Sequence, residues 1–264
     1  MKKSLLFFGL IFFCLYDPKL QAKELIVMIS GGFHAAYQKL IPDFETKNKI
    51  KIKTISGPSM GNTTEAIPNR LKNNQKADVV IMVGSALEKL QNEGWILKGS
   101  KTELADSPIG AVIKKGNPPI SIKTTNELKA ALLNASSIAY SDSASGKYVS
   151  EELFKKLGIQ KQMKNKAHMI PRIPVASVIA KGVHEIGFQQ VSELLPISGV
   201  TFIGELPENL QHFTRFAGAV LKNSSNIDEA KDLLRYLSSP KAQKIIHSTG
   251  LHSINIKTPE KTSK

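Results

Sequence analysis

The stretch SDSASGKYVSEELFKKLG, residues 141–158, sets three serines and a Gly146-Lys147 pair in front of a helical pattern. A Gly-Lys at a helix start suggests a phosphate-binding loop. Such a loop needs a glycine five positions before its second glycine and a Ser or Thr after the lysine, so that backbone amides wrap the phosphates and a hydroxyl holds Mg²⁺. Those positions hold Ser141 and Tyr148, which excludes nucleotide chemistry. What remains is Ser143, Ser145 and Gly146 ahead of a helix. That geometry suits a small anion, and it equally suits an ordinary helix whose orphan amides a serine hydroxyl caps.

Three other places carry polar groups at element ends. Ser30, Gly31 and Gly32 follow the first apolar run, where open α/β sheets place ligands, although a double glycine also serves any tight strand-to-helix turn. Ser59, Met60, Gly61, Asn62 and Thr63 form a polar turn before a second helix. Gln189 and Gln190 close a late strand, and strand alternation predicts that one points inward and the other outward. Arg172 and Arg70 could neutralise a carboxylate, but arginine is ordinarily a surface residue. The six histidines show no i, i+4 pair, so no metal site is expected. A hydrolase would need a G-x-S-x-G elbow, and Gly84-Ser85-Ala86-Leu87 lacks the second glycine. An exported hydrolase is therefore the minor alternative, and the chain is expected to bind a ligand without catalysis and without a cofactor.

Short apolar runs alternate with helical patterns, which predicts an α/β protein with mainly parallel sheets. Strands are expected at 25–29, 50–55, 77–83, 109–113, 137–140, 186–189, 200–203 and 216–221. Helices are expected at 35–46, 67–73, 86–91, 125–133, 149–157, 174–180, 227–237 and 242–247. The stripe of Ala36, Leu40, Ile41 and Phe44 shows why the first of these should be helical. No linker-like segment divides the chain, so two domains would have to be joined by more than one crossing.

The 264 residues begin with MKKSLLFFGLIFFCLYDPKLQA. Two lysines, an apolar run and a polar break ending at Ala22 have the form of a secretory signal peptide. The run from Leu5 to Tyr16 is shorter than the roughly 20 residues of a spanning helix. Cys14, the one cysteine, lies inside it, so the exported chain must hold its fold by core packing. The net charge of +14 suits anions broadly, but the lysines are scattered and no nucleic-acid motif accompanies them. The tail KTPEKTSK, 257–264, is expected to be flexible.

In order and spacing, LIVMISGGFHAAYQKLIPDFE, ADVVIMVGSALEKLQNEG, SPIGAVIKKGNP, SDSASGKYVSEELFKKLGI and DEAKDLLRYLSSPKAQKIIHSTGL resemble the molybdate-binding branch of the periplasmic solute-binding proteins of ABC importers. The resemblance covers the whole chain after the leader. It implies a two-lobed type II periplasmic binding protein fold with two hinge crossings: 23–105 plus 206–256 as lobe 1, and 106–205 as lobe 2. It further implies a monomeric periplasmic protein that holds a small anion, a molybdate-like oxyanion, between the lobes and passes it to an ABC-transporter permease. The ligand would be met by Ser30, Gly31, Gly32, Ser59, Met60, Gly61, Thr63, Ser143, Ser145, Gly146, Gln189 and Gln190. The chain departs from the family's pattern in its first turn, where the serine is displaced, and in carrying Gln189-Gln190 where the family leads to a tyrosine. Amides both donate and accept, which points to a small organic acid as the alternative ligand.

Overall fold

The computed structural model describes residues 23–254; the expected leader at 1–22 and the expected flexible tail at 257–264 lie outside them. The strands are β1 (Glu24–Ile29), β2 (Lys51–Ser56), β3 (Val79–Val83), β4 (Thr102–Ser107), β5 (Ile109–Lys114), β6 (Ile138–Ser141), β7 (Ala167–Ile170), β8 (Ile186–Gln190), β9 (Val200–Glu205) and β10 (Thr214–Val220). They form two five-stranded sheets, ordered β2-β1-β3-β10-β4 and β7-β6-β8-β5-β9. The protein is thus a two-lobed α/β structure. Its sheets are mixed rather than mainly parallel. β1 pairs in parallel with β2 and β3, and β6 with β7 and β8, while β10 and β5 pair antiparallel with both of their neighbours. The antiparallel pairs involve the strands that enter or leave the other lobe, whose direction the crossing sets and no local pattern records.

β4 and β7 are absent from the sequence reading. β7, AHMI, is a four-residue edge strand with two exposed positions, and β4, TELADS, carries Glu103 and Asp106 among residues of low strand preference. Both are strands because a neighbour's edge offers hydrogen bonds.

The helices are α1 (Gly31–Asn48), α2 (Ile67–Lys72), α3 (Gly84–Asn92), α4 (Thr125–Asn134), α5 (Ala144–Tyr148), α6 (Phe154–Lys156), α7 (Gln160–Met163), α8 (Val175–Ala180), α9 (Val191–Leu194), α10 (Ile227–Leu237) and α11 (Pro240–His247). A π-helical stretch, Val149–Leu153, joins α5 to α6, so the helical run begins at Ala144, five residues before its expected start. Alternation along β1 divides the first lobe's interior. Val27 and Ile29 face Phe33, Leu40, Phe44 and Leu233, while Met28 faces Val80, Leu87 and Leu90 on the other side. The second lobe repeats the plan with Ile109, Ile113, Leu128, Leu153 and Phe188 on one face and Val112, Ala139, Val175 and Ile179 on the other. Each fully buried Leu, Ile or Phe contributes about 1.5–3 kcal/mol, which lets the described residues hold together without a disulfide.

The chain passes between the lobes from Ser107 to Ile109 and returns between Leu210 and Thr214. Leu206 and Leu210, expected in lobe 1, pack into the second core instead. The Gln211 side chain grips the outgoing crossing: its Oε1 accepts from Ile109 N (2.9 Å) and its Nε2 donates to Ile109 O (3.0 Å). A third tie lies between the lobes, where Ser192 Oγ on α9 donates to Gly32 O on α1 (2.7 Å).

Candidate functional site

Parallel strands deliver the turns at their carboxyl ends to one side of a sheet, and in both lobes that side faces the gap. The result is a cleft of about 930 Å³. From the first lobe it is lined by the turns after β1, β2 and β3, and from the second by those after β6, β7 and β8.

On the first wall, Ser30 is the N-cap of α1 but makes no side-chain cap bond, and the first turn of this 18-residue helix holds no acidic residue. The orphan amides at its start and the helix dipole are therefore available to an anion. Gly31 exposes its backbone to the cleft, while Gly32 is buried under Gln190 and Phe216. Ser59 explains how the serine is held. Its hydroxyl donates to Ser30 Oγ (2.8 Å) and accepts from Val83 N (3.0 Å), which leaves the Ser30 proton free to turn toward a ligand. Met60, Gly61 and Thr63 also line this wall, with Met60 exposed.

On the opposite wall, the hydroxyls of Ser141, Ser143 and Ser145 form a triangle with sides of 2.8, 3.0 and 3.3 Å. Only Ser143 of this group reaches the cleft surface. Ser145 is fully buried beneath it, and Gly146 is packed so tightly on the Ser141 carbonyl that any side chain would overlap it. These two residues shape the turn but do not line the cleft. Gln189 and Gln190 do point to opposite sides, yet both border the cleft, because β8 ends there and both sides are protein. Gln189 Oε1 accepts from Val175 N at the start of α8 (2.8 Å), whereas Gln190 reaches across to Gly32. Arg172 lines the cleft in a left-handed backbone conformation, φ 65°, its N–H donating to Asp142 Oδ2 (3.0 Å). Arg70 is turned away, bonded to the Glu65 carbonyl and to Gln75.

The sequence reading misses four cleft residues with chemistry: His34, Glu65, Asp142 and Glu193. Glu65 is held below its ordinary pKa, first by a backbone N–H and then by the Thr64 hydroxyl. Glu193 behaves in the opposite way. Loss of solvent raises its carboxyl to about 7, the Asp142 charge adds to the rise, and a hydrogen bond from Gln189 partly offsets it. A group poised near neutrality both takes and returns a proton. Nothing in QQVSELLP distinguishes this glutamate from a solvated helix residue, since its burial comes from α1 of the other lobe. Among the described residues, no group of three or more His, Cys, Asp or Glu is placed to hold a metal ion.

The whole chain has informative relatives. It is 41% identical over 230 residues to an aconitate isomerase from a Pseudomonas species, covering 87% of this chain and 88% of that protein. It is 24% identical over 236 residues to the molybdate-binding protein ModA of Azotobacter vinelandii, covering 87% and 90%. Among solved structures, PEB3 of Campylobacter jejuni with bound L-phospholactate superposes with a TM-score of 0.66 at 16% identity, covering 86% of this chain and 99% of that one. The likeness in fold is that of the two-lobed type II periplasmic binding proteins, and the distance from ModA marks a divergent subgroup. The match to an isomerase overturns the expectation of a chain without catalytic activity. That expectation rested on the missing hydrolase elbow, and an isomerase needs no nucleophile. The sequence pattern of the bacterial extracellular solute-binding proteins matches residues 25–252, and the chain belongs to that family.

Proposed function

We propose that this protein binds aconitate in the cleft between its lobes and interconverts the geometric isomers of that tricarboxylate. The carrying observation is the 41% identity, across nearly the whole of both chains, to an aconitate isomerase. The cleft's chemistry supports it. Aconitate has one C=C bond flanked by carboxylates and by an activated methylene, and moving a proton from the methylene to the far alkene carbon shifts the double bond and resets its geometry. Such a step needs donors to hold carboxylates, which the α1 amides, the Ser30 and Ser143 hydroxyls and Gln190 can supply, and a group that exchanges a proton near neutral pH. Closure of the two lobes onto each other, about the two crossings, would exclude water and strengthen every one of these contacts. The test is to incubate purified protein with each isomer separately and follow the mixture by proton NMR. Conversion in both directions is expected, and a bound but unchanged substrate would remove the isomerase reading.

A second reading is favoured by the relation to ModA and by the hydroxyl-rich turns: binding of a molybdate-like oxyanion, or uptake of a small organic acid, for delivery to an ABC-transporter permease by a periplasmic monomer. A single tetrahedral oxyanion fills little of a 930 Å³ cleft, which favours the larger organic anion. Thermal melting with molybdate, sulfate and aconitate in parallel separates the two, since a ligand at 100 times its Kd adds about 2.7 kcal/mol of stability.

A further inference from the structure

We propose that Glu193 is the catalytic residue that moves the proton: its carboxylate removes one from the methylene carbon of the bound tricarboxylate and returns it to the alkene carbon at the other end of the same three-carbon unit. The inference rests on the isomerase reading and adds to it the identity of the acid–base group. In the step, the C–H electron pair enters the allylic system, the former C=C pair becomes the C–H bond at the receiving carbon, and Glu193 ends as it began. No oxidant, reductant or second reactant is consumed.

The placement of Glu193 carries the argument. It sits on α9, immediately after β8, and its Oε1 lies against the backbone of Gly31 at the start of α1. A substrate carboxylate held by the uncapped amides of α1 would therefore bring its neighbouring carbons beside Glu193. Gln189 is fixed by accepting from Val175 N, and its amide favours the ionised Glu193 carboxyl. Ser192 O–H, bonded to Gly32 O, locks α9 to α1 and so sets the distance between the base and the anion site.

The titratable and charged groups around Glu193 are His34 on α1 and Asp142 after β6, with Arg172 and Glu65 on the loops lining the same cleft. Its chain neighbours Gln189, Gln190 and Ser192 are neutral. Glu65 and Asp142 are exposed, and Asp142 already accepts from Arg172 N. Glu193 is half-buried in the cleft wall where the other two are exposed, and the loss of solvent raises its carboxyl to about 7, so its anion is a base suited to neutral pH.

The deciding experiment compares wild type, Glu193→Gln, Glu193→Asp and His34→Gln for interconversion of aconitate isomers, for exchange of the methylene protons in D₂O, and for aconitate binding by calorimetry. Loss of about 10²–10⁴-fold in kcat and in exchange is expected for Glu193→Gln, with Kd changed by no more than a few-fold. A partial loss is expected for Glu193→Asp. Wild-type kcat/KM should fall about tenfold per pH unit below about 7. Full activity in Glu193→Gln, or abolition by His34→Gln alone, overturns the assignment while leaving the isomerase reading intact. A wild type that neither converts nor exchanges aconitate overturns both. Should Glu193→Gln fail to fold, a wild-type profile flat across neutral pH, or full activity in Glu193→Asp, overturns the assignment.

Discussion

Glu193 Oε1 and the α-carbon of Gly31 lie so close that residue 31 has no room for a side chain: a Cβ there would overlap the carboxylate oxygen. The two residues come from different lobes, 162 positions apart in the sequence, and both line the cleft.

Gly31→Ala is therefore expected to displace Glu193 with little cost in stability, since the overlapping atom is the end of a side chain that can move. Gly32→Ala should cost more. Its Cβ would overlap Gln190 Oε1 and stand 2.5 Å from the Phe216 ring, which is locked in the core. Overpacking of that kind costs typically 1–3 kcal/mol. Melting curves and aconitate turnover on both variants check the pair: activity lost with Tm nearly kept for position 31, and Tm clearly lowered for position 32.

Stability should depend on pH through Glu193. Its folded pKa, about 7, stands above the 4.5 of an ordinary glutamate. Between those values the folded chain holds a proton that the unfolded chain has released, so stability contributed by the group is full at low pH and declines as pH rises toward 7. The total is on the order of 3 kcal/mol at most. Glu193→Gln, which keeps a neutral side chain at every pH, should melt above wild type at pH 8 and match it near pH 4. The opposite order at pH 8 would show that the carboxylate is not disfavoured in the fold.

Ser59→Ala should weaken the first wall of the cleft. It removes the acceptor for Val83 N, in a half-buried place, and the donor to Ser30 Oγ, in a buried one. The unmet Val83 amide alone costs about 1–3 kcal/mol, and a Ser30 hydroxyl free to rotate should weaken aconitate binding several-fold. Chemical denaturation and calorimetry measure the two effects separately, and unchanged values in both would show that the Ser30–Ser59–Val83 chain is dispensable.

Asp78→Ala tests the frame that carries this wall. The buried carboxylate accepts from Ile26 N (2.8 Å) and Ser224 Oγ (2.7 Å) and meets Asn226 Nδ2 (3.2 Å), tying β1 to the segment before α10. Losing it strands several donors at once, for an expected cost of about 3–5 kcal/mol, seen as a shift in denaturation midpoint.

Much of the architecture was legible in local pattern. Val27, Met28 and Ile29 announce a strand buried on both faces and Ala36, Leu40, Ile41 and Phe44 a helix packed by one stripe, although Gly31 and Gly32, read as a turn between them, are the first residues of that helix. The capping box of Thr124 and Glu127 marks the start of α4 in the same way. These are interactions within a few residues, so neighbouring residue types suffice to specify them. The direction of β10 and the existence of β4 and β7 were not legible, because they depend on where the chain stands when it returns from the other lobe.

The candidate site divides along the same line. The sequence by itself determined that polar turns such as Ser30–Gly32, Ser59–Gly61 and Ser143–Gly146 stand at element ends. Only the tertiary structure decided that Ser143 faces the cleft while Ser145 supports it from below, and that Gln189 and Gln190 both border it. The same holds for Glu193. A glutamate on a short helix carries no mark in the sequence of its pKa. Its proton affinity follows from exclusion of water by α1, from the Asp142 charge and from Gln189, and two of these three influences come from distant parts of the chain. Desolvation is a property of what surrounds a group in space, and here the surroundings are assembled from two lobes that the backbone joins only at the crossings.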